Sequence, residues 1–265
     1  MLQGNHRSIQ ETIRTMKISI ITVCYNSEAT IEDTIRSVIS QDYPHIEYII
    51  VDGDSSDGTM SVINKHASDI DRIVSEPDKG IYDAMNKGIN LATGEIIGIL
   101  NSDDVFFSGT IISDIVNIFK DNTEIDAVYG NITYFREGAP EKSARTWITK
   151  PFYPNYFDDG EVPPHPSLFV KKEVYDAIGS YDPNFKLASD YEFMLRAFKL
   201  HGYKPFFLNS FIVNMRVGGE STKSFKNVLL ANKEVSLSWK MNNLKPPYKF
   251  WLFRITKKIL QFINK

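Results

Sequence analysis

The chain has 265 residues, 42% hydrophobic and 24% charged, with one cysteine and a formal net charge of −3. That length buries a core without staples, and the composition excludes disordered, collagen-like and coiled-coil classes. The lone Cys24 excludes a disulfide framework and a cysteine-based zinc site, which fits a reducing cytoplasmic compartment, and no apolar run reaches the ~18 residues of a spanning helix.

Residues 1–16 read as a polar leader. Ile18 to Val23 is a β-branched run, the pattern of a buried strand. Asn26-Ser27 offers a helix N-cap, and Ile31, Ile35, Val38 and Ile39 follow at helical spacing. Ile46 to Val51 predicts a second strand, Met60 to Ile63 a short helix, and Arg72 to Ser75 a third strand. Ile81, Met85 and Ile89 mark a helix at i, i+4, i+8, and Glu95 to Leu100 a fourth strand. Strands alternating with helices predict an α/β fold with a mostly parallel sheet, whose ligands bind beyond the carboxyl ends of the strands. Ala127 to Phe135 predicts another strand, and residues 138–166 read as a long functional loop. A strand-to-helix segment stopped by Gly179, a helix from Asp190 to Leu200 and a strand from Pro205 to Val213 complete the body.

Three acidic loops carry the candidate chemistry. Asn101-Ser102-Asp103-Asp104 follows the fourth strand and brings two adjacent carboxylates to the binding edge. Hard oxygen ligands of this kind suit Mg2+ or Mn2+ shared with a diphosphate; a solvated turn capping the next helix is the equal alternative. Asp52 to Thr59 combines glycines, which let backbone N–H groups approach a ligand, with Asp52, which could accept from a base or ribose. There the alternative is a plain turn with Asp57 capping the next helix. Asp190 sits at a predicted helix start, as a cap or as a general base on an incoming hydroxyl. His165, within Pro163-Pro164-His165-Pro166, could line a pocket or simply pack in a loop. The chain has no G-x-x-x-x-G-K-[ST] loop, no G-x-G-x-x-G after the first strand and no H-E-x-x-H spacing.

In this order these pieces resemble family-2 glycosyltransferases of the GT-A fold, a Rossmann-like α/β architecture, over about residues 17–220. Ser19 to Asn26 looks like the family's first strand and nucleotide-contacting turn, and Val51 to Thr59 resembles its V-D-x-x-S-x-D-G-T loop. Ser75 to Gly88 is close to a block of bacterial O-antigen and colanic-acid type transferases. Asn101 to Asp104 occupies the metal-binding D-x-D position, and Ser189-Asp190 that of the E-D pair bearing the catalytic base.

The resemblance implies an inverting hexosyltransferase that uses a nucleotide-sugar, a UDP-sugar first. Donor contacts then fall on Val23, Tyr25, Asp52, Asp78, Lys79, Asn86 and Asp103, metal contacts on Asp103 and Asp104, and proton abstraction on Asp190. Tyr25 would flank the base or else close the core, and Arg216 with Gly218 to Ser221 resembles a loop that closes over the donor. Several positions depart from the pattern. Gly53 stands where many relatives have a second Asp, Met85 replaces the Arg of A-R-N, and Asn101 and Ser189 replace acids. A sugar nucleotidyltransferase and a non-catalytic binder are the rivals. The first would carry a Gly-rich basic loop where this chain reads Val23-Cys24-Tyr25-Asn26.

The segment 223–265 has ten basic residues and one acid, Glu234, a net of +9 against −12 for the remainder. Trp251, Leu252, Ile255, Ile259, Phe262 and Ile263 would share one face of a helix with Lys249, Arg254, Lys257, Lys258 and Lys265 elsewhere. A basic amphipathic helical tail of this kind suits the cytoplasmic face of the inner membrane, where a glycan or polyprenyl-diphosphate-linked acceptor would lie. A terminal helix packed on the body is the alternative, and nucleic acid is a poor partner for so acidic a body. The expected division is a leader 1–16, a transferase domain 17–222 and the tail 223–265.

Overall fold

The structure, a computed structural model, describes residues 15–136, 139–218 and 224–251. The first half runs β1 (Ile18–Cys24), α1 (Ile31–Ile39), β2 (Ile46–Asp52), α2 (Thr59–Lys65), β3 (Arg72–Ser75), α3 (Ile81–Leu91), β4 (Ile96–Ile99), β5 (Val105–Phe106) and α4 (Ile111–Asp121). The second half runs β6 (Ala127–Arg136), β7 (Ala139–Trp147), β8 (Phe169–Lys171), α5 (Lys172–Ile178), α6 (Ser189–Met194), β9 (Pro205–Arg216) and α7 (Phe225–Met241). The nine strands form one sheet in the order β3-β2-β1-β4-β8-β6-β9-β5, with β7 paired to β6.

The sheet changes character midway. β1 pairs in parallel with β2 and β4, and β2 with β3, as strand-helix alternation dictates. β8 then inserts antiparallel between β4 and β6, β9 pairs in parallel with β6, and β5 closes antiparallel on β9. Side-chain alternation divides the core between the two faces. Ile20 and Ile50 pack with Ile35, Val38, Ile115 and Phe119 on one face, and Ile21, Val51 and Ile97 with Met85 and Ile89 on the other. Each fully buried Ile contributes ~1.5–3 kcal/mol relative to exposure. Gly88 lets α3 lie close on β1, because a Cβ there would overlap Ile21.

Two local expectations fail. Residues 139–147, expected in a loop, form strand β7, antiparallel to β6 with Ile132 opposite Trp147. It is an edge strand carrying Pro140 and the charges of Glu141 and Lys142, so apolar alternation, the usual signal, is missing. Asn26-Ser27 does not cap α1, whose N-cap is Thr30. Asn26 turns the chain at φ 49°, and its Oδ1 accepts the Ser56 N–H at 3.0 Å. Gly179 ends α5 at φ 83° as expected, and Phe193, Leu195, Ala197 and Phe198 are buried.

A buried polar knot ties the amino ends of the first strands. Glu47, 3% exposed, accepts from the Ser19 hydroxyl at 2.6 Å, the Thr93 N–H and hydroxyl at 2.7 Å each, and Lys17 Nζ at 2.9 Å. Burial alone would raise its carboxyl, but these donors outweigh burial and hold it at about 2, against an ordinary 4.5. Because the folded value is the lower one, this stabilisation is complete above the ordinary value of 4.5 and fades as pH falls towards about 2. Glu47→Ala is expected to cost about 2–3 kcal/mol at neutral pH, with the difference from wild type shrinking in acid. Urea midpoints measured from pH 7 downwards check this.

Candidate active site

The carboxyl ends of the adjacent parallel strands β3, β2, β1 and β4 line one edge of the sheet. After β1, Tyr25 stands 64% exposed. Asp57 Oδ1 accepts the Thr59 N–H at 3.0 Å at the start of α2, and its Oδ2 accepts the Glu28 N–H at 3.2 Å. Asp78 and Lys79 follow β3, with the Lys79 N–H bound to Asp83 Oδ2 at 3.1 Å. The Lys79 side chain lies exposed at the surface.

Three expected donor contacts point elsewhere. The Val23 side chain is 4% exposed and packs in the core. Asp52 is fully buried. Its Oδ2 accepts the Ser55 N–H at 3.0 Å and the Ser75 hydroxyl at 2.7 Å, and its Oδ1 accepts the Ser55 hydroxyl. The carboxylate fastens the loop instead of facing the cleft. Asn86 gives Nδ2 to the Tyr181 C=O at 2.7 Å and takes the Tyr181 N–H on Oδ1 at 3.0 Å, latching α3 to the segment before α6.

The paired carboxylates lie after β4. Asp104 is 1% exposed and accepts the Asn101 amide at 3.2 Å on Oδ2 and the Arg216 N–H at 3.3 Å on Oδ1. Thr34 anchors the turn by donating to the Asp104 C=O at 2.8 Å. Burial first, then the charge of Asp103, pushes the Asp104 carboxyl well above its usual range; burial also raises Asp103, against the opposing charge of Arg216. Arg216 reaches Asp33 at 3.4 Å and lies 5.1 Å from the Phe135 ring centre.

Opposite stands Asp190, the second residue of α6, whose Oδ1 accepts from the Tyr82 hydroxyl at 2.9 Å. Its Oδ2 lies 3.1 Å from His165 Nδ1. Burial pushes the Asp190 carboxyl up, but the His165 charge and the hydrogen bonds from His165 and Tyr82 win and hold it below its usual value. His165 is lowered by burial and raised by Asp190 and Asp104, with a net rise. The sequence thus places Asp190, His165, Asp103, Asp104 and Arg216 separately, and the fold brings them together.

Tyr82 carries no catalytic signal of its own in the sequence, although it lies inside the Ser75–Gly88 block. The support behind α6 is a second set of residues that the sequence does not single out. Arg196 pairs with Glu192 at 2.9 Å and donates to the Ile178, Gly179 and Ser180 carbonyls. Glu234 of α7 accepts the Lys186 and Leu187 N–H groups at 2.9 and 2.8 Å. The Glu192–Arg196 pair is visible as an i, i+4 spacing, but no local spacing announces Arg196 on the 178–180 carbonyls or Glu234 on Lys186 and Leu187.

The residues fit a hard divalent cation. Asn101 Oδ1 is buried without a hydrogen-bond partner, beside two carboxylates whose mutual repulsion a cation would relieve. Among the described residues no cluster of three or more His, Cys, Asp or Glu side chains forms a complete metal site. The remaining ligands would then come from diphosphate oxygens and water.

Against known proteins, the family model "Glycosyl transferase family 2" matches residues 19–172. An uncharacterized glycosyltransferase of Mycobacterium tuberculosis is 32% identical over 182 residues, covering 68% of each chain. The structure of Staphylococcus aureus TarS 1–349 in complex with UDP-GlcNAc superposes with a TM-score of 0.69 at 17% identity, covering 91% of this chain and 73% of that one. Another TarS structure is covered over only 40% of its length. The mannosyltransferase PcManGT of Pyrobaculum calidifontis, in complex with GDP-Man and Mn2+, gives 0.65 at 18% identity, covering 95% and 72%. Those two superpositions establish the GT-A type of fold.

Proposed function

The chain belongs to glycosyl transferase family 2, and from that premise we propose that it is an inverting, divalent-cation-dependent hexosyltransferase. Its donor is a nucleotide-sugar, a UDP-sugar first, and its acceptor a glycan or a polyprenyl-diphosphate-linked sugar of a surface polysaccharide such as an O-antigen repeat. One observation carries this reading: buried Asp104, paired with half-buried Asp103, and the hydrogen-bonded carboxylate of Asp190 both act on the same His165.

The chemistry follows from what each group can hold. Asp190 takes the proton of the acceptor hydroxyl as that oxygen bonds to the anomeric carbon. The bond from that carbon to the diphosphate oxygen breaks on the opposite face, so a single displacement inverts the configuration. Tyr82 and His165 fix the orientation of the Asp190 carboxylate. Mg2+ or Mn2+ bound at Asp103, Asp104 and the Asn101 amide oxygen would supply charge neutralisation for the departing diphosphate. The Arg216 guanidinium adds a positive charge that acts on Asp103, and its backbone N–H binds Asp104. The test is slow donor hydrolysis, followed by NMR, with a panel of UDP-α-hexoses and Mn2+. The β-hexose as first product supports inversion, and the α-hexose as first product overturns it.

The membrane partner has support in α7. Phe225, Leu229, Leu237 and Met241 are 78, 55, 43 and 50% exposed. Lys226, Lys233 and Lys240 are exposed beside them at heptad spacing, with no acid among these outward positions. Residues 252–265, which carry most of the expected amphipathic helix, lie outside the described residues. Among the described residues no helix is long and apolar enough to cross a membrane. An interfacial face of this kind gains roughly 1 kcal/mol per lysine near an anionic surface. The protein is expected to sediment with vesicles containing phosphatidylglycerol and not with phosphatidylcholine alone. Leu229→Glu with Leu237→Glu is expected to weaken sedimentation, and equal binding to both vesicle types contradicts the account.

A further inference from the structure

Gly53 gives the donor cleft a feature that Asp52 does not. It follows β2, and its N–H is taken by the Cys24 C=O at 2.9 Å. A Cβ at residue 53 would overlap the Asp78 carboxylate and come 3.4 Å from Tyr25 Cδ2. The missing side chain is therefore what allows Asp78 and Tyr25 to converge. Asp78 lies three residues beyond β3, and its Oδ1 accepts the Gly80 N–H at 2.7 Å. Its Oδ2 lies over Gly53, whose own N–H is committed to the Cys24 C=O. Tyr25 presents an exposed ring beside it. An aromatic plate with a carboxylate oxygen at its margin is a slot for a planar ring bearing an N–H on its edge.

Building on the donor-site reading above, we infer that Asp78 reads the edge of the nucleobase and selects bases with an imino N–H, uracil or guanine, over cytosine. A carboxylate only accepts hydrogen bonds. It pairs with uracil N3–H or guanine N1–H, whereas cytosine turns an N3 lone pair towards it. That mismatch leaves a charged acceptor facing another acceptor, the kind of penalty by which polar sites reject near-isosteres. The reading role moves here because the Asp52 carboxylate is consumed inside its own loop.

The test is calorimetric titration of UDP, GDP and CDP at fixed Mn2+ into the full chain and into Asp78→Asn, which keeps the side-chain shape. Wild type is expected to bind UDP or GDP at least about tenfold tighter than CDP, and the UDP and GDP arms show whether the slot takes a pyrimidine or a purine. In Asp78→Asn the carboxamide also offers a donor to cytosine N3, so the preference over CDP is expected to fall about tenfold or more. Gly53→Ala, which displaces Asp78 without touching it chemically, is expected to erode the same preference. If Asp78→Asn weakens all three nucleotides equally, Asp78 only fastens the turn at Gly80 and the inference is overturned while the donor site stands. If wild type binds no nucleotide, the donor-site reading falls and this inference with it.

Discussion

Asp190→Asn is expected to lower turnover by about 10²–10⁴-fold while leaving donor affinity within about twofold. The carboxamide preserves shape and can still meet Tyr82, but it cannot take a proton from the acceptor. A separation of turnover from UDP binding is the signature of a base, because a merely structural residue would lose both. The rate should also report the carboxylate's environment. The base works ionised, and its carboxyl is held low, so activity falls only as pH drops beneath the ordinary Asp range of about 3.9. His165→Ala removes the charge 3.1 Å away and is expected to move that acid limb upwards. A limb that stays in place would remove His165 from the account.

Asp104→Asn is expected to reduce Mn2+-dependent UDP affinity by about 100-fold, or about 2.7 kcal/mol, and to leave metal-free affinity unchanged. Its effect on stability runs the other way. The Asp104 carboxyl is raised by burial and by Asp103, so in the metal-free protein above the ordinary Asp range its ionised form opposes folding. Replacing it with a neutral isostere is expected to hold or raise the thermal midpoint of the metal-free protein. Loss of both metal-linked affinity and folded stability would instead mark Asp104 as a structural residue. A site that costs stability while it waits for a cation is a common exchange in enzymes.

Much of this arrangement is legible in the sequence, and the limits have physical causes. Strands β1, β2 and β4 read as short continuous apolar runs buried on both faces, and helix α3 carries the 3.6 period. The same signals place Asp104 and Asp190 at element ends, where ligands bind. Spacing fixes a residue's place along the chain but not where its side chain turns. Asp52 and Asn86 show the consequence, since one faces its own loop and the other the Tyr181 backbone. The His165–Asp190 pair joins residues 25 positions apart through tertiary packing alone. Asp78 over Gly53 is similarly hidden, because the signal is an absent side chain whose meaning depends on a neighbour from another loop. β7 escaped because proline and charge on an edge strand suppress the alternation that marks interior strands.

The central claim is that Asp103 and Asp104 assemble a cation-dependent nucleotide site. Titrating UDP into the full chain with Mn2+, and again after chelation, tests it most directly. The account predicts binding with metal, weakened about 100-fold without it. UDP affinity that is the same with and without metal, or no binding in its presence, would contradict it.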